Sequence, residues 1–412
     1  MHGRIYLDNA ATSFPKPPAV LRAMMEYSLE IGASPGRGAY AESRRGAGIL
    51  GRCRERLCEL FGGRSPEHVI FTLNCSDALN LAIHGIVKGV RRRSPGAPVH
   101  VVTSAMDHNS VLRPLNDLAH EGVECTRVRA SGEGRVEPAD VERAIRPETR
   151  LVTLVHASNV TGTIQDVAAV GEICRRRGVP FLVDAAQSLG HAPLDVEAMG
   201  IDLLAFPGHK GLLGPLGTGG LYIRPELEAL LEPVRQGGTG SRSESDAQPR
   251  ELPDRYESGS HNTVGIAGLM AGVEWLLGRG VARVRAHELA LAEQFLESMR
   301  GISGFRVLGP RALAHRVGVF SLVHESLGPT AVAAELERRA GVLARAGLHC
   351  APGAHESIGA ISRGGACRLS LGPFVTPEQL EAACACLREI GRDAPGLCHP
   401  EGLGSSIHPA SV

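Results

Sequence analysis

The sequence predicts an α/β protein: a large, mainly parallel sheet layered with helices, followed by a smaller α+β unit. Three observations predict it. Between about residues 66 and 225, short β-rich runs alternate with helical stretches, the βαβ pattern of an open sheet. Several of those runs are apolar on both faces, as strands buried inside a parallel sheet must be. After about residue 305 the order changes to strand-rich segments that close on a helix. At 412 residues the chain is also longer than one ordinary domain.

The strands in order are the runs "HVIFTL" (68–73), "PVHVVTS" (98–104), "RLVTLVHAS" (150–158), "PFLVDAA" (180–186), "DLLAFP" (202–207) and "GGLYI" (219–223). Stretches such as "SDALNLAIHGIVKGV" and "DVAAVGEICRRRG" fall between them as helices. A polar loop spans 236–263, long enough that a function is expected of it. An amphipathic helix over roughly 282–300 carries Leu289, Ala292, Leu296 and Met299 along one face. Then come "FRVLG", "VGVFSLVHE", a helix from about 330, "ACRLSLG", and a last helix opened by Thr376, Pro377 and Gln379 as a capping box. The expected division is an N-terminal segment 1–30 joining the small unit, a large unit 31–280, a small unit 281–394 and a disordered tail 395–412.

Composition narrows the function. Formal net charge is zero and no patch combines basic with aromatic residues, so neither nucleic acid nor an anionic membrane is an expected partner. "VRRRS" and "CRRRG" each end a helical pattern, where cations meet the negative end of the dipole. No apolar run approaches the length of a membrane span, and the first residues lack a signal core, so a cytoplasmic location is expected. The ten cysteines are scattered, and Cys384 and Cys386 form a C-x-C without nearby histidines; no metal site is expected.

The residues that carry chemistry fall at strand ends, where ligands of open sheets bind. Only three of the 44 basic residues are lysine: Lys16, Lys88 and Lys210. Lys210, in "FPGHKGLLGP", is either a spared surface residue or an amine that must lose its proton, which guanidinium does not do. Cys75 and Ser76 open a helix whose free N–H groups suit a phosphate; Ser76 or Asp77 acting as a plain cap is the alternative. Asp184 ends an apolar strand, where a carboxylate needs a partner: a neighbouring turn, or the protonated pyridine of pyridoxal phosphate. Gln187 lies one turn on. His108 is placed to stack on an aromatic ring or to sit hydrogen-bonded in the cleft wall, and Asn159 is a polar contact.

Read together, "YLDNAAT", "DHNS", "SNVTGT", "VDAAQS", "GHKGLLGPLGTGGLYI", "RAGLHCAP" and "ACRLSLG" resemble the class V aminotransferase family of pyridoxal-phosphate enzymes, fold type I, over about residues 4–392. The chain looks most like its cysteine desulfurase and selenocysteine lyase branch. The resemblance implies that Lys210 carries the cofactor through a Schiff base, with His209, Ser76 and the backbone near Cys75 on the phosphate. It further implies Asp184 on the pyridine nitrogen, Gln187 and Asn159 about the phenolic oxygen, and His108 over the ring. Ser260 matches a residue that reaches a phosphate in a neighbouring subunit, so a homodimer is implied. Arg368 and Arg345 would receive the substrate carboxylate. Cys350 would be the nucleophile that takes sulfur from L-cysteine, or selenium from selenocysteine, for an acceptor protein or thiol; a small buried cysteine is the plain alternative. Arg345 and His349 are expected to favour its thiolate. Cys75 stands where the family commonly has threonine, and Tyr40 where it has histidine. A different class V reaction (aminotransferase, epimerase or β-lyase) and an inactive scaffold in sulfur trafficking are the rival functions.

Overall fold

The computed structural model describes residues 3–36 and 38–393, so the tail expected at 395–412 lies outside the described residues. The chain opens with β1 (Ile5–Tyr6) and α1 (Pro18–Glu26), continued by a π turn to Ile31, and goes on to α2 (Ala41–Phe61). Then follow β2 (Val69–Thr72), α3 (Cys75–Arg93), β3 (Val99–Ser104), α4 (Asn109–Ala119), β4 (Val123–Val128) and α5 (Pro138–Ala144). The large sheet is completed by β5 (Thr149–Val155), α6 (Val167–Arg177), β6 (Phe181–Asp184), β7 (Leu203–Pro207) and β8 (Gly219–Ile223). Beyond it lie α7 (Thr263–Arg279), α8 (Val281–Met299), β9 (Phe305–Leu308), β10 (Val319–His324) and α9 (Pro329–Ala340). The last described elements are β11 (Val342–Leu343), β12 (Arg345–Gly347), α10 (Pro352–Ser357), β13 (Ala366–Ser370) and α11 (Pro377–Asp393).

The large sheet has seven strands in the order β2-β8-β7-β6-β5-β3-β4. All run parallel except β8, which is antiparallel to both its neighbours. Six of these strands match the apolar runs. The seventh, β4, is an edge strand with Val123 and Val128 buried and polar residues between them, so it shows no continuous apolar run. A second sheet, β12-β13-β10-β9, is antiparallel throughout. β1 pairs in parallel with β11, and Ser370 N–H donates to the Leu7 carbonyl at 2.7 Å, which ties the N-terminal segment to that second sheet.

Three expectations are corrected. Helix α7 was not anticipated between the polar loop and α8, because "TVGIAGLMAGVEWLLGR" is apolar nearly all round and shows no one-sided stripe. α7 meets α8 at an 80° bend, and no single described helix is long and apolar enough to cross a membrane. The buried face of α8 is Val284, Glu288, Leu291, Ala292, Phe295 and Met299, rotated from the expected one, so Leu289 and Leu296 are only half-buried. The basic clusters are indeed structural, but through ion pairs as well as helix ends: Arg92 with Glu232 at 2.9 Å, and Arg177 with Glu142 at 3.1 Å. The capping box of α11 forms as expected, with Thr376 and Gln379 exchanging hydrogen bonds of 3.1 and 3.3 Å.

The polar loop is tethered by a buried carboxylate. Glu257 accepts from Arg54 of α2 at 2.6 Å, from the Phe71 N–H of β2 at 2.6 Å, and pairs with His261 at 2.5 Å. Arg54 also lies over the Phe71 ring, 4.4 Å from its centroid. Breaking a buried pair on one side strands the other charge. Glu257→Ala is therefore expected to lower unfolding stability by about 3–5 kcal/mol in urea titration, whereas a loss under about 1 kcal/mol would mean the pair holds nothing.

Candidate active site

Lys210 stands on the connection between β7 and β8, just beyond the sheet's carboxyl edge. Two close approaches fix that connection. A Cβ on Gly211 would fall 2.2 Å from the Leu189 carbonyl oxygen, and one on Gly190 would fall 2.4 Å from the Gly211 carbonyl oxygen. Only glycine fits either position. The His209 carbonyl is held from the other side by Ser13 N–H, Thr12 and Ser13 hydroxyls and Lys16 Nζ, all at 3.0–3.2 Å. Burial lowers the pKa of the Lys210 amine, opposed by Asp184 and Cys75 and assisted by Arg368 and Arg345.

A solvent-open cavity adjoins this amine, lined by Cys75, Ser76, His108, Asn159, Asp184 and Gln187 among others, together with His209 and Lys210. At its mouth α3 begins. The cap is Asn74, not Ser76 or Asp77: its side chain accepts the Asp77 N–H at 3.0 Å, while Asp77 accepts the Leu73 N–H at 2.9 Å. The first amides of the helix, at Cys75 and Ser76, are left free for an anion. Ser76 shares a 2.6 Å hydrogen bond with Ser110.

Asp184 is 2 % exposed and accepts from Ala186 N–H at 2.9 Å and from the Cys75 thiol at 3.5 Å. Burial raises the pKa of its carboxyl, and burial beside Asp184 keeps the Cys75 thiol protonated. His108 caps α4, its Nδ1 accepting the Ser110 N–H at 3.0 Å, which puts the ring proton on Nε2. Burial, then the charge of Lys210, pushes this ring down to about 4. His209 is likewise pushed to about 4 by burial, and its Nδ1 has no partner. Asn159 and Gln187 each spend one amide hydrogen on a carbonyl, of His349 at 2.7 Å and of Ala10 at 2.8 Å, and each has a second.

These features fit pyridoxal phosphate. Among the described residues the first helix amides and the His209 Nδ1 have no partner, which suits a phosphate, and the buried Asp184 carboxylate has no ion-pair partner within hydrogen-bond range, a role a pyridinium would fill.

Arg368 of β13 is 2 % exposed, with Nη2 on Asp8 at 2.7 Å, Nη1 on the Asn159 carbonyl at 3.1 Å and Nε without a partner. Neither Arg368 nor Arg345 is among the residues that line the cavity. Arg345 is exposed on β12, directly across from Arg368 in the ladder, so the two side chains leave the same face. Ser260 is exposed and lines a separate depression with Arg235 and Thr218, not the cavity beside Lys210.

Cys350 is exposed, on a turn between β12 and α10 rather than in an open loop. His349 and Cys350 both have left-handed backbones, with φ of 49° and 56°, a strained conformation for two successive non-glycine residues. The turn is tied to the cavity rim: Asn109 N–H donates to the Cys350 carbonyl at 2.8 Å, next to His108, and Asn159 holds the His349 carbonyl. The expectation that His349 favours a thiolate fails. Its ring is 5 % exposed, meets His355 at 3.2 Å and is pushed by burial, with Arg368 nearby, to about 3, so it stays neutral. Sequence reading also missed Asp8, Asn74 and His355; only the D in "YLDNAAT" signalled the first, as part of a motif.

Another buried ring offers a pH test. His156, 3 % exposed with Nδ1 unpartnered, is pushed by burial to about 4. An unfolded histidine titrates near 6.5, so between those values the unfolded chain binds more protons and stability falls as pH falls. His156→Gln should remove about 2 kcal/mol of the stability difference between pH 7.5 and 5.0. Calorimetric melts of the two proteins at both pH values measure it; an equal acid loss in both would refute the assignment.

Comparison with known proteins agrees with this geometry. A family model described as aminotransferase class-V matches residues 5–383. A protein named "Probable cysteine desulfurase" from Methanothermobacter thermautotrophicus is 36% identical over 392 residues, covering 95% of each chain. One of the same name from Pyrococcus abyssi is 32% identical over 391 residues, covering 94% of each. A solved apo cysteine desulfurase from Thermococcus onnurineus NA1 superposes with a TM-score of 0.87 at 32% identity, covering 94% of this chain and 95% of that one.

Proposed function

The chain belongs to the aminotransferase class-V family, and we propose that it acts as a pyridoxal-phosphate-dependent cysteine desulfurase. The reaction converts L-cysteine to L-alanine and leaves the sulfur on Cys350. The observation that carries this reading is the tie between the exposed Cys350 turn and the rim of the Lys210 cavity, through Asn109 and Asn159. A transaminase or epimerase has no use for that thiol.

When bound, pyridoxal phosphate supplies a conjugated ring that stores the electron pair left at the substrate's Cα. Lys210 is the residue that would carry it, with His209, Ser76 and the Cys75 backbone to hold its phosphate and Asp184 to pair its pyridine nitrogen. Asn159 and Gln187 would offer their second amide hydrogens to its phenolic oxygen. Lys210 Nζ, its pKa lowered by burial, moves the Cα proton of the substrate. His108, neutral, offers its Nε2 proton beside the ring. Arg368 receives the substrate carboxylate, assisted by Arg345 across the ladder. Cys350 Sγ attacks the substrate's Sγ as a thiolate; an S–S bond forms on the protein, the Cβ–S bond breaks, and its electron pair stays with the substrate carbon, whose Cβ takes up a proton to become the methyl group of alanine. The outer sulfur then passes to an acceptor protein or thiol, and Cys350 returns as thiolate.

A homodimer is part of the proposal. Ser260 is exposed away from its own chain's cavity, and Leu21, Met25 and Leu29 form an exposed apolar row at helical spacing. The nine described cysteines are all free, which suits a reducing compartment such as the cytoplasm. Mass spectrometry of Cys350 after addition of L-cysteine tests the reaction. A gain of one sulfur atom on that peptide is expected; turnover with an unmodified Cys350 would reject the proposal.

A further inference from the structure

Arg368 and Arg345 project from the same face of adjacent strands, and among the described residues Asp8 is the one carboxylate paired with either. Two positive charges and one negative leave a single positive charge for a ligand. Asp8 cannot easily swing away, because its neighbours are stitched in place. Leu7 N–H donates to Leu343 at 3.0 Å and Ala10 N–H to the Ser370 hydroxyl at 2.8 Å, and Asp8 itself bridges to Ser370. Arg368 Nε is unpartnered but buried and Asp8 keeps Nη2, so a carboxylate that reaches this guanidinium shares it with Asp8.

We propose that Asp8 is a specificity-determining residue that sets this site for an amino acid with one negative group and rejects one whose side chain is itself anionic. The inference rests on the reading that Arg368 receives the substrate carboxylate. A neutral or thiol side chain leaves the charges balanced; a second carboxylate adds an unmatched anion beside the half-buried Asp8 carboxylate, where like charges repel.

The test compares dissociation constants of L-alanine and L-aspartate for the cofactor-loaded protein by titration calorimetry. The wild type should bind L-alanine more tightly. Asp8→Asn keeps an oxygen acceptor for Arg368 but removes the charge, and should shift the ratio toward L-aspartate by about tenfold or more. Arg345→Gln, at an exposed position that should not disturb folding, should shift it the other way by a similar factor. Ratios within about twofold of wild type in Arg345→Gln, or in a folded Asp8→Asn, would overturn the role of Asp8. Wild-type protein that binds neither amino acid saturably would instead overturn the clamp reading of Arg368, and this inference with it.

Discussion

Lys210→Ala is expected to lower L-cysteine turnover by about 10⁴-fold, the upper range for a positioned proton-transfer group, and to end covalent attachment of the cofactor. The effect is large because no neighbour can substitute. His108 and His209 are neutral and poor bases, both near 4, and Lys16 is spent on the carbonyls of Ser13 and His209 and the Ser13 hydroxyl. Borohydride reduction followed by peptide mapping checks the attachment independently of activity. The wild type should give a reduced adduct on the Lys210 peptide, and the variant none. An adduct elsewhere, or activity within tenfold of wild type, would remove the amine from the centre of the chemistry.

Cys350→Ala is expected to separate the two halves of the reaction. Cofactor loading and the visible band should be unchanged, because Cys350 contributes only its backbone carbonyl to the rim. Sulfur transfer from L-cysteine should fall by roughly 10³-fold or more, since the covalent route is lost with the nucleophile. The buried Cys75 cannot stand in, because its thiol is held protonated beside Asp184. Alanine and sulfide formation by the variant at the wild-type rate would show that another group receives the sulfur.

Much of this site was legible in the sequence because its chemistry sits at the ends of apolar strands. Asp184 and Lys210 are the wrong residue types for their surroundings, and that mismatch is local. What was not legible depends on partners far along the chain. Asp8 reads as a polar residue in a short N-terminal run, and its counterpart Arg368 is 360 positions away. His349 looks like a cation beside a cysteine until burial makes it neutral. The edge strand β4 and the uniformly apolar α7 escaped for the opposite reason: their patterns lack, respectively, the continuous apolar run and the one-sided stripe that mark such elements.

The interlocked glycines at 190 and 211 make the lysine-bearing connection intolerant of length changes. With both ends hydrogen-bonded into adjacent strands and its middle wedged against a neighbouring backbone, an added residue has nowhere to bulge. Engineering of this protein toward other amines or amino acids has to work from the far wall of the cleft, around the cysteine turn and the first ten residues, and treat residues 208–214 as fixed.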